Sequence, residues 1–368
     1  MKRSNFLKMA GSGVLGISSI PFLTGTAEKS EIENPALKNV AKDGKGAQRL
    51  AIDELRTWQN LKYGMFIHFG MSTFTGDEFD KGNSPAQLYN PARLDVAQWI
   101  SVARDAGMTY AVLTAKHVAG HCLWKTAHTP YSIVNSGNKT DVVEAFVNEC
   151  SKKGIKPGLY YCSWDNHNRF GSQTPSDSFK GSWNDMNYFP GDQQDDFAPY
   201  TTSLYQNFQT AQITELLTQY GDIMELWIDI PGLLGKGYRS YLYQYATQLQ
   251  PGMIVMMNCG LEPVYNADYA FPSDIRAFER NLPENYNGWE KINDKDYYLP
   301  GEFCQPIGKQ WFFADGDLSR SKDEFLDEYR FCRKNEINYL LDVPPDKTGL
   351  IPDDSVKKLM SLKNAILT

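Results

Sequence analysis

The chain has 368 residues, 42% of them hydrophobic and 22% charged, with a formal net charge of −7. That is length enough for one large domain or two ordinary ones around a sizeable core. The acidic balance, with no basic cluster beyond the N-terminus, argues against a nucleic-acid surface.

Residues 1–27 stand apart. Lys2, Arg3 and Lys8 make a positive start, 9–23 is small and apolar, and Gly25-Thr26-Ala27 supplies the small residues of a cleavage site. This reads as an export signal, too short and too rich in Gly and Ser for a membrane span, so the expected location is periplasmic or secreted with no membrane partner. Lys2 stands where a twin-arginine signal would have its second Arg, which favours the general secretory route. Cys122, Cys150, Cys162, Cys259, Cys304 and Cys332 are widely scattered, several inside apolar runs, and are expected to be mostly reduced core thiols. Residues 28–47 form a polar segment, and 48–368 read as one domain.

Within that domain strand-like and helix-like runs alternate. Residues 48–60 read as a helix, 63–68 as a strand, 97–106 as a helix, 110–116 as a strand, 141–153 as a helix and 156–163 as a strand. Helix 200–219, strand 223–229, helix 238–248 and strand 252–258 follow, then strands at 275–278 and 297–303, helix 322–334 and a last strand at 338–343, stopped by Pro344-Pro345. Eight strands with helical crossovers call for a parallel sheet closed into an irregular (β/α)8 TIM-like barrel, irregular because helices between the fifth, sixth and seventh strands are short or missing. An open doubly wound sheet is the alternative, but no glycine-rich phosphate loop follows the first strand.

Barrel chemistry lies at the C-terminal ends of the strands, which here carry His68, Lys116-His117, Ser163-Trp164-Asp165, Asp229, Asn258, Glu279 and Glu302. In Ile223-Met224-Glu225-Leu226-Trp227-Ile228-Asp229-Ile230-Pro231, alternation sends Trp227 and Asp229 to one face and Leu226 and Ile228 to the other. A carboxylate closing an apolar strand needs hydrogen bonds, a counter-charge or a catalytic role.

Several of these stretches resemble, in order, the α-L-fucosidases of glycoside hydrolase family 29. They are Trp58-Gln59 with Lys62-Tyr63-Gly64-Met65-Phe66-Ile67-His68-Phe69-Gly70, then Tyr110-Ala111-Val112-Leu113-Thr114-Ala115-Lys116-His117, Gly158-Leu159-Tyr160-Tyr161, Glu225-Leu226-Trp227-Ile228-Asp229, and Asn338-Tyr339-Leu340-Leu341-Asp342-Val343-Pro344-Pro345-Asp346. The resemblance implies a retaining exo-glycosidase that removes terminal α-L-fucose from an oligosaccharide or glycoconjugate through a covalent glycosyl-enzyme, without metal or cofactor. It implies Asp229 as nucleophile, His68, His117 and Glu78 as sugar-binding groups, and Tyr160 and Trp227 as an aromatic wall. Two positions depart from the family pattern: Val118-Ala119 stand where a second His and an Asp are usual, and Phe79 where a Trp is usual. A hydrogen bond to the sugar is thereby removed, and a related sugar such as L-galactose becomes an alternative substrate. No C-terminal β-sandwich is expected.

A retaining glycosidase needs a second carboxyl, protonated and roughly 5 to 5.5 Å from the first. Glu279, closing Asp274-Ile275-Arg276-Ala277-Phe278, is the leading acid/base, with Glu302 the runner-up and Glu284 and Glu290 reading as solvated loop acids. Trp311 is a candidate to close over the sugar's methyl group. Arg276 is a candidate for binding a hydroxyl or pairing with a carboxylate. The competing readings are an impaired sugar-binding barrel and a metal-dependent hydrolase using His68, His117 and His121. Loop 165–196, rich in Asn, Ser, Gly and Asp, is expected to border the entrance.

Overall fold

Short apolar runs of strand length build the centre of the molecule. The computed structural model describes residues 45–168, 202–258, 270–318 and 320–367. The expected export signal, nearly all of the polar segment after it and most of loop 165–196 lie outside these residues. The strands are β1 (Tyr63–Ile67), β2 (Tyr110–Lys116), β3 (Lys156–Cys162), β4 (Glu225–Asp229), β5 (Ile254–Met257), β6 (Arg276–Glu279), β7 (Trp289–Ile292), β8 (Lys295–Tyr298), β9 (Gly301–Pro306) and β10 (Asn338–Asp342). The helices are α1 (Ile52–Gln59), α2 (Met71–Thr75), α3 (Val96–Asp105), α4 (Val142–Lys153), α5 (Ser203–Gln219), α6 (Lys236–Leu249), α7 (Lys322–Lys334) and α8 (Asp353–Leu367). Sequence signals place several helix starts: the side chains of Asp95, Asp141, Thr202 and Ser321 each accept a backbone N–H of the first turn of α3, α4, α5 and α7.

Eight strands form one parallel sheet in the order β5-β4-β3-β2-β1-β10-β9-β6. Its two ends, β5 and β6, meet at a seam made differently from the ladders. The Asp274 N–H donates to Val255 O at 2.8 Å, the Asp274 carboxylate accepts the Val255 N–H at 2.8 Å, and Ser273 Oγ accepts the Met257 N–H at 3.1 Å. Asp274 is held in turn by Arg49 and the Tyr243 hydroxyl, both at 2.5 Å. The result is a nearly closed (β/α)8 barrel, as the alternation of elements predicts.

One expected strand is misplaced. The run 297–303 is two elements: Tyr297 and Tyr298 end the antiparallel hairpin β7-β8, and the barrel strand begins only at Gly301. Pro300, with no N–H to offer a ladder, separates them. The hairpin turns at Asn293-Asp294, both with positive φ (49° and 62°), the backbone of a tight two-residue hairpin turn. This hairpin occupies the place of the helix missing between the sixth and seventh barrel strands. The C-terminal helix α8 was not among the expected elements. No described helix is long and apolar enough to cross a membrane. The five described cysteines are buried and unpaired.

Period-2 alternation stacks the inward side chains in layers. On β4, Glu225, Trp227 and Asp229 climb from floor to mouth. Gly64 on β1 makes room for a neighbour: a Cβ there would lie 2.5 Å from the Tyr110 ring.

Candidate active site

Asp229 closes β4 and Glu279 closes β6, separated in the sheet order by the seam, and a single amide joins them. Asn258 Nδ2, just past β5, donates to Asp229 Oδ1 at 2.8 Å and to Glu279 Oε2 at 3.0 Å. A planar amide that gives one hydrogen to each oxygen would set the two oxygens about 5 Å apart.

The two acids have different surroundings. Asp229 accepts the Tyr160 hydroxyl at 2.6 Å, Asn258 Nδ2, and the Ile230 N–H at 2.9 Å. Burial pushes its carboxyl up, and those three hydrogen bonds oppose burial by favouring the ionised form. Among the described residues Glu279 has one hydrogen-bond donor, Asn258, and burial followed by the Asp229 charge raises it to about 7, with Asn258 and Arg280 pulling the other way. Three donors on Asp229 against one described on Glu279 favour the negative charge on Asp229 and the proton on Glu279.

Both acids are followed by a non-glycine residue in the left-handed region, Ile230 at φ 49° and Arg280 at φ 61°. For β-branched Ile230 this is a costly conformation. It turns the Ile230 N–H back onto the Asp229 carboxylate, and Pro231 then stops the strand.

Rings assemble around the pair. His68, just beyond β1, shares a 2.9 Å hydrogen bond between Nδ1 and Asp342 Oδ1, which leaves Nε2 available to a ligand. Burial holds the His68 imidazole down to about 3, so it is neutral at physiological pH. His117, beyond β2, stacks on Tyr160 with centroids 5.5 Å apart and lies 5.7 Å from the His68 ring. Its ring hydrogen-bonds the Glu78 backbone, and its Nδ1 meets no partner among the described residues. Trp311 packs 5.1 Å from His68, and the Arg280 guanidinium lies over its ring at 4.8 Å. Half-buried Glu78 is pushed up to about 7 by burial, with Arg280 opposing and Glu279, Asp229 and Asp342 adding to the rise. Trp227 lies one layer deeper, stacked on Tyr160 at 5.4 Å.

The eight residues singled out in the sequence thus gather at and just beneath the barrel mouth. Glu302 does not. It is the second residue of β9, at the floor, where it accepts the Tyr110 hydroxyl at 2.6 Å and Trp227 Nε1 at 3.1 Å. The misplaced strand explains the error, since 297–303 makes Glu302 look like a strand end. Arg276, at the start of β6, faces Glu290 at 3.9 Å, and Glu284 is exposed. Two other polar strand ends serve structure: Lys116 and Asp165 form a fully buried 2.7 Å ion pair, and Asp165 also accepts the N–H groups of His167 and Asn168. His121 bonds Ser136 at 2.8 Å and packs against Tyr89 and Tyr131, and no group of three His, Cys, Asp or Glu among the described residues could hold a metal ion.

Sequence reasoning gave no role to Asn258, Asp342, Arg280 or Phe312, which contacts both His68 and His117. The strand-end rule had marked Asn258, and Asp342 stood inside a recognised motif. Arg280 and Phe312 carried no signal.

A family model described as alpha-L-fucosidase matches residues 77–364. Alpha-L-fucosidase 1 of Arabidopsis thaliana is 29% identical over 335 residues, 84% of this chain and 60% of the relative, so the chain spans about three fifths of that relative's length. A glycoside hydrolase 29 family member from an unknown rumen bacterium superposes with a TM-score of 0.69 at 26% identity, over 85% of this chain and 56% of that one. AlfC, an alpha-L-fucosidase from Lactobacillus casei solved with its α-L-fucose product, shares the fold at a TM-score of 0.65 and 23% identity, over 85% of this chain and 98% of its own.

Proposed function

This chain belongs to the α-L-fucosidase family, and from that membership we propose that it is an exported, retaining exo-glycosidase releasing terminal α-L-fucose from oligosaccharides or glycoconjugates. The observation that carries the reading is the Asn258 amide, whose Nδ2 donates to both the Asp229 and the Glu279 carboxyl groups. In the first step Asp229 Oδ attacks the anomeric carbon while Glu279 gives its proton to the departing glycosidic oxygen, leaving a glycosyl ester on Asp229. Glu279, now ionised, takes a proton from water, which attacks the same carbon and releases fucose and free Asp229. As negative charge leaves Asp229, the Tyr160 and Ile230 donors favour the returning carboxylate and so assist the second step. His68, His117 and Glu78 offer hydrogen bonds to the sugar hydroxyls, and Trp311 and Phe312 offer apolar surface to the methyl group. Export rests on the positive start, apolar run and small-residue site of residues 1–27.

The test is release of aryl alcohol from an aryl α-L-fucoside. The wild type is expected to turn over with retention, and Asp229→Ala to lose at least about a thousandfold in kcat. Turnover of D229A at wild-type rates, or product formed with inversion, would end this mechanism.

A further inference from the structure

The deepest polar group in the barrel plays no part in the steps above. Glu225 on β4 and Glu302 on β9 are 0% and 1% exposed, and their carboxyl groups lie close enough across the floor to act on one another. Two adjacent carboxylates in so dry a place would repel strongly, so the pair holds a proton. Glu302 already accepts on both oxygens, from Tyr110 and from Trp227 Nε1. Glu225 accepts Trp58 Nε1 on Oε2 at 3.2 Å, while its Oε1 faces no donor among the described residues. A proton on Glu225 Oε1 satisfies that oxygen and makes it a donor to Glu302. Burial pushes Glu302 up to about 7 and Glu225 well above the ordinary carboxyl range, in the direction this arrangement requires.

Burying two acids for stability alone is a poor bargain, since apolar side chains of the same volume are often as stable. What an apolar pair would not supply is direction, because it would leave the Trp227 and Trp58 indoles and the Tyr110 phenol without acceptors. Direction matters at Trp227. Its ring stacks on Tyr160 at 5.4 Å with 25° between planes and leans on Phe66 at 5.3 Å, and Tyr160 holds Asp229 Oδ2 at 2.6 Å.

We propose that the Glu225–Glu302 pair, sharing one proton at the barrel floor, is a positioning unit: it orients the Trp227 indole and, through the Trp227–Tyr160 stack, the hydrogen bond that Tyr160 donates to the nucleophile. The proposal rests on the hydrolytic reading above. Glu302 touches no substrate and acts only through Trp227.

The decisive variant is Glu302→Gln, which keeps the volume but leaves one acceptor oxygen where the carboxylate offered one to Tyr110 and one to Trp227. With thermal unfolding and far-ultraviolet circular dichroism confirming a folded chain, kcat on an aryl α-L-fucoside is expected to fall about tenfold with KM within about threefold of wild type. The tryptophan bands of the near-ultraviolet dichroism should shift with it. Glu302→Leu, where it folds, should cost more. In a Trp227→Phe background, which removes the indole N–H, E302Q should have no further effect on kcat. Wild-type kcat in folded E302Q, or losses from E302Q and W227F that simply multiply, would overturn the positioning role while leaving hydrolysis intact. A wild-type chain inactive on every α-L-fucoside would instead remove the hydrolytic reading, and the positioning role with it.

Discussion

Asn258 does the most with the fewest atoms. One Nδ2 group contacts both acids and so ties their separation to a rigid planar amide. Among the described residues, Asn258→Ala should leave Asp229 with two donors and Glu279 with none, lowering kcat on the order of tenfold to a hundredfold with less effect on KM, readable in steady-state kinetics. The proton on Glu279 predicts the pH profile. The general acid must be protonated, so the alkaline limb of activity falls as pH rises through about 7, while the acid limb is set by ionisation of Asp229. Glu279→Gln should erase that alkaline limb and lose about a hundredfold on substrates with poor leaving groups, much less on activated aryl fucosides, with azide restoring turnover of Glu279→Ala. A limb unchanged in E279Q would move the acid role to another group, with Glu78, also held at about 7, next in place.

At the scale of elements, the chemistry depends on how strands end and how the barrel closes. β4 delivers Asp229 because five residues alternate strictly and Ile230 breaks the strand in a left-handed conformation. The β5-β6 seam brings Asn258 beside Glu279, although these strands share no ladder. Asp274 is its keystone, accepting from Val255, Arg49 and Tyr243 while almost fully buried. Asp274→Ala leaves buried Arg49 without its carboxylate counter-charge, with only carbonyl and hydroxyl acceptors remaining, and the Val255 N–H without an acceptor. It should cost about 3 kcal/mol in urea unfolding. Because it loosens the joint between the two acids, it should also depress kcat in the protein that remains folded. A variant as stable as wild type would mean that the seam is held elsewhere.

For the molecule as a whole, buried titratable groups set opposite limits on stability with pH. Glu279 has its pKa raised from 4.5 to about 7, so its contribution is full below the unfolded value and is lost as pH rises through about 7. His68 and His121 have theirs lowered from 6.5 to about 3, so their contribution is full above 6.5 and is lost as pH falls toward 3. Denaturant midpoints should therefore peak between the two limbs, and E279Q should flatten part of the alkaline decline. A midpoint still rising between pH 6 and 9 in the wild type would contradict this balance.

Barrel architecture, the strand carrying Asp229 and the placement of His68 and His117 at strand ends were legible in the chain because they follow from local periodicity, whereas Tyr160 was singled out by the family resemblance alone. An apolar run of strand length, alternating side chains and a polar residue at its C-terminal end are properties of a few consecutive residues. The distinction between Glu279 and Glu302 was not legible in that way, because both close apolar runs and only the Pro300 break and the sheet register place one at the mouth and the other at the floor. Nor could the sequence say that Lys116 and Asp165 satisfy each other, that Asn258 spans two acids, or that Arg280 lies over Trp311. Those are contacts between residues distant in the chain, and charge, proton and hydrogen bond are apportioned among them only when closure of the barrel excludes water and brings them within reach.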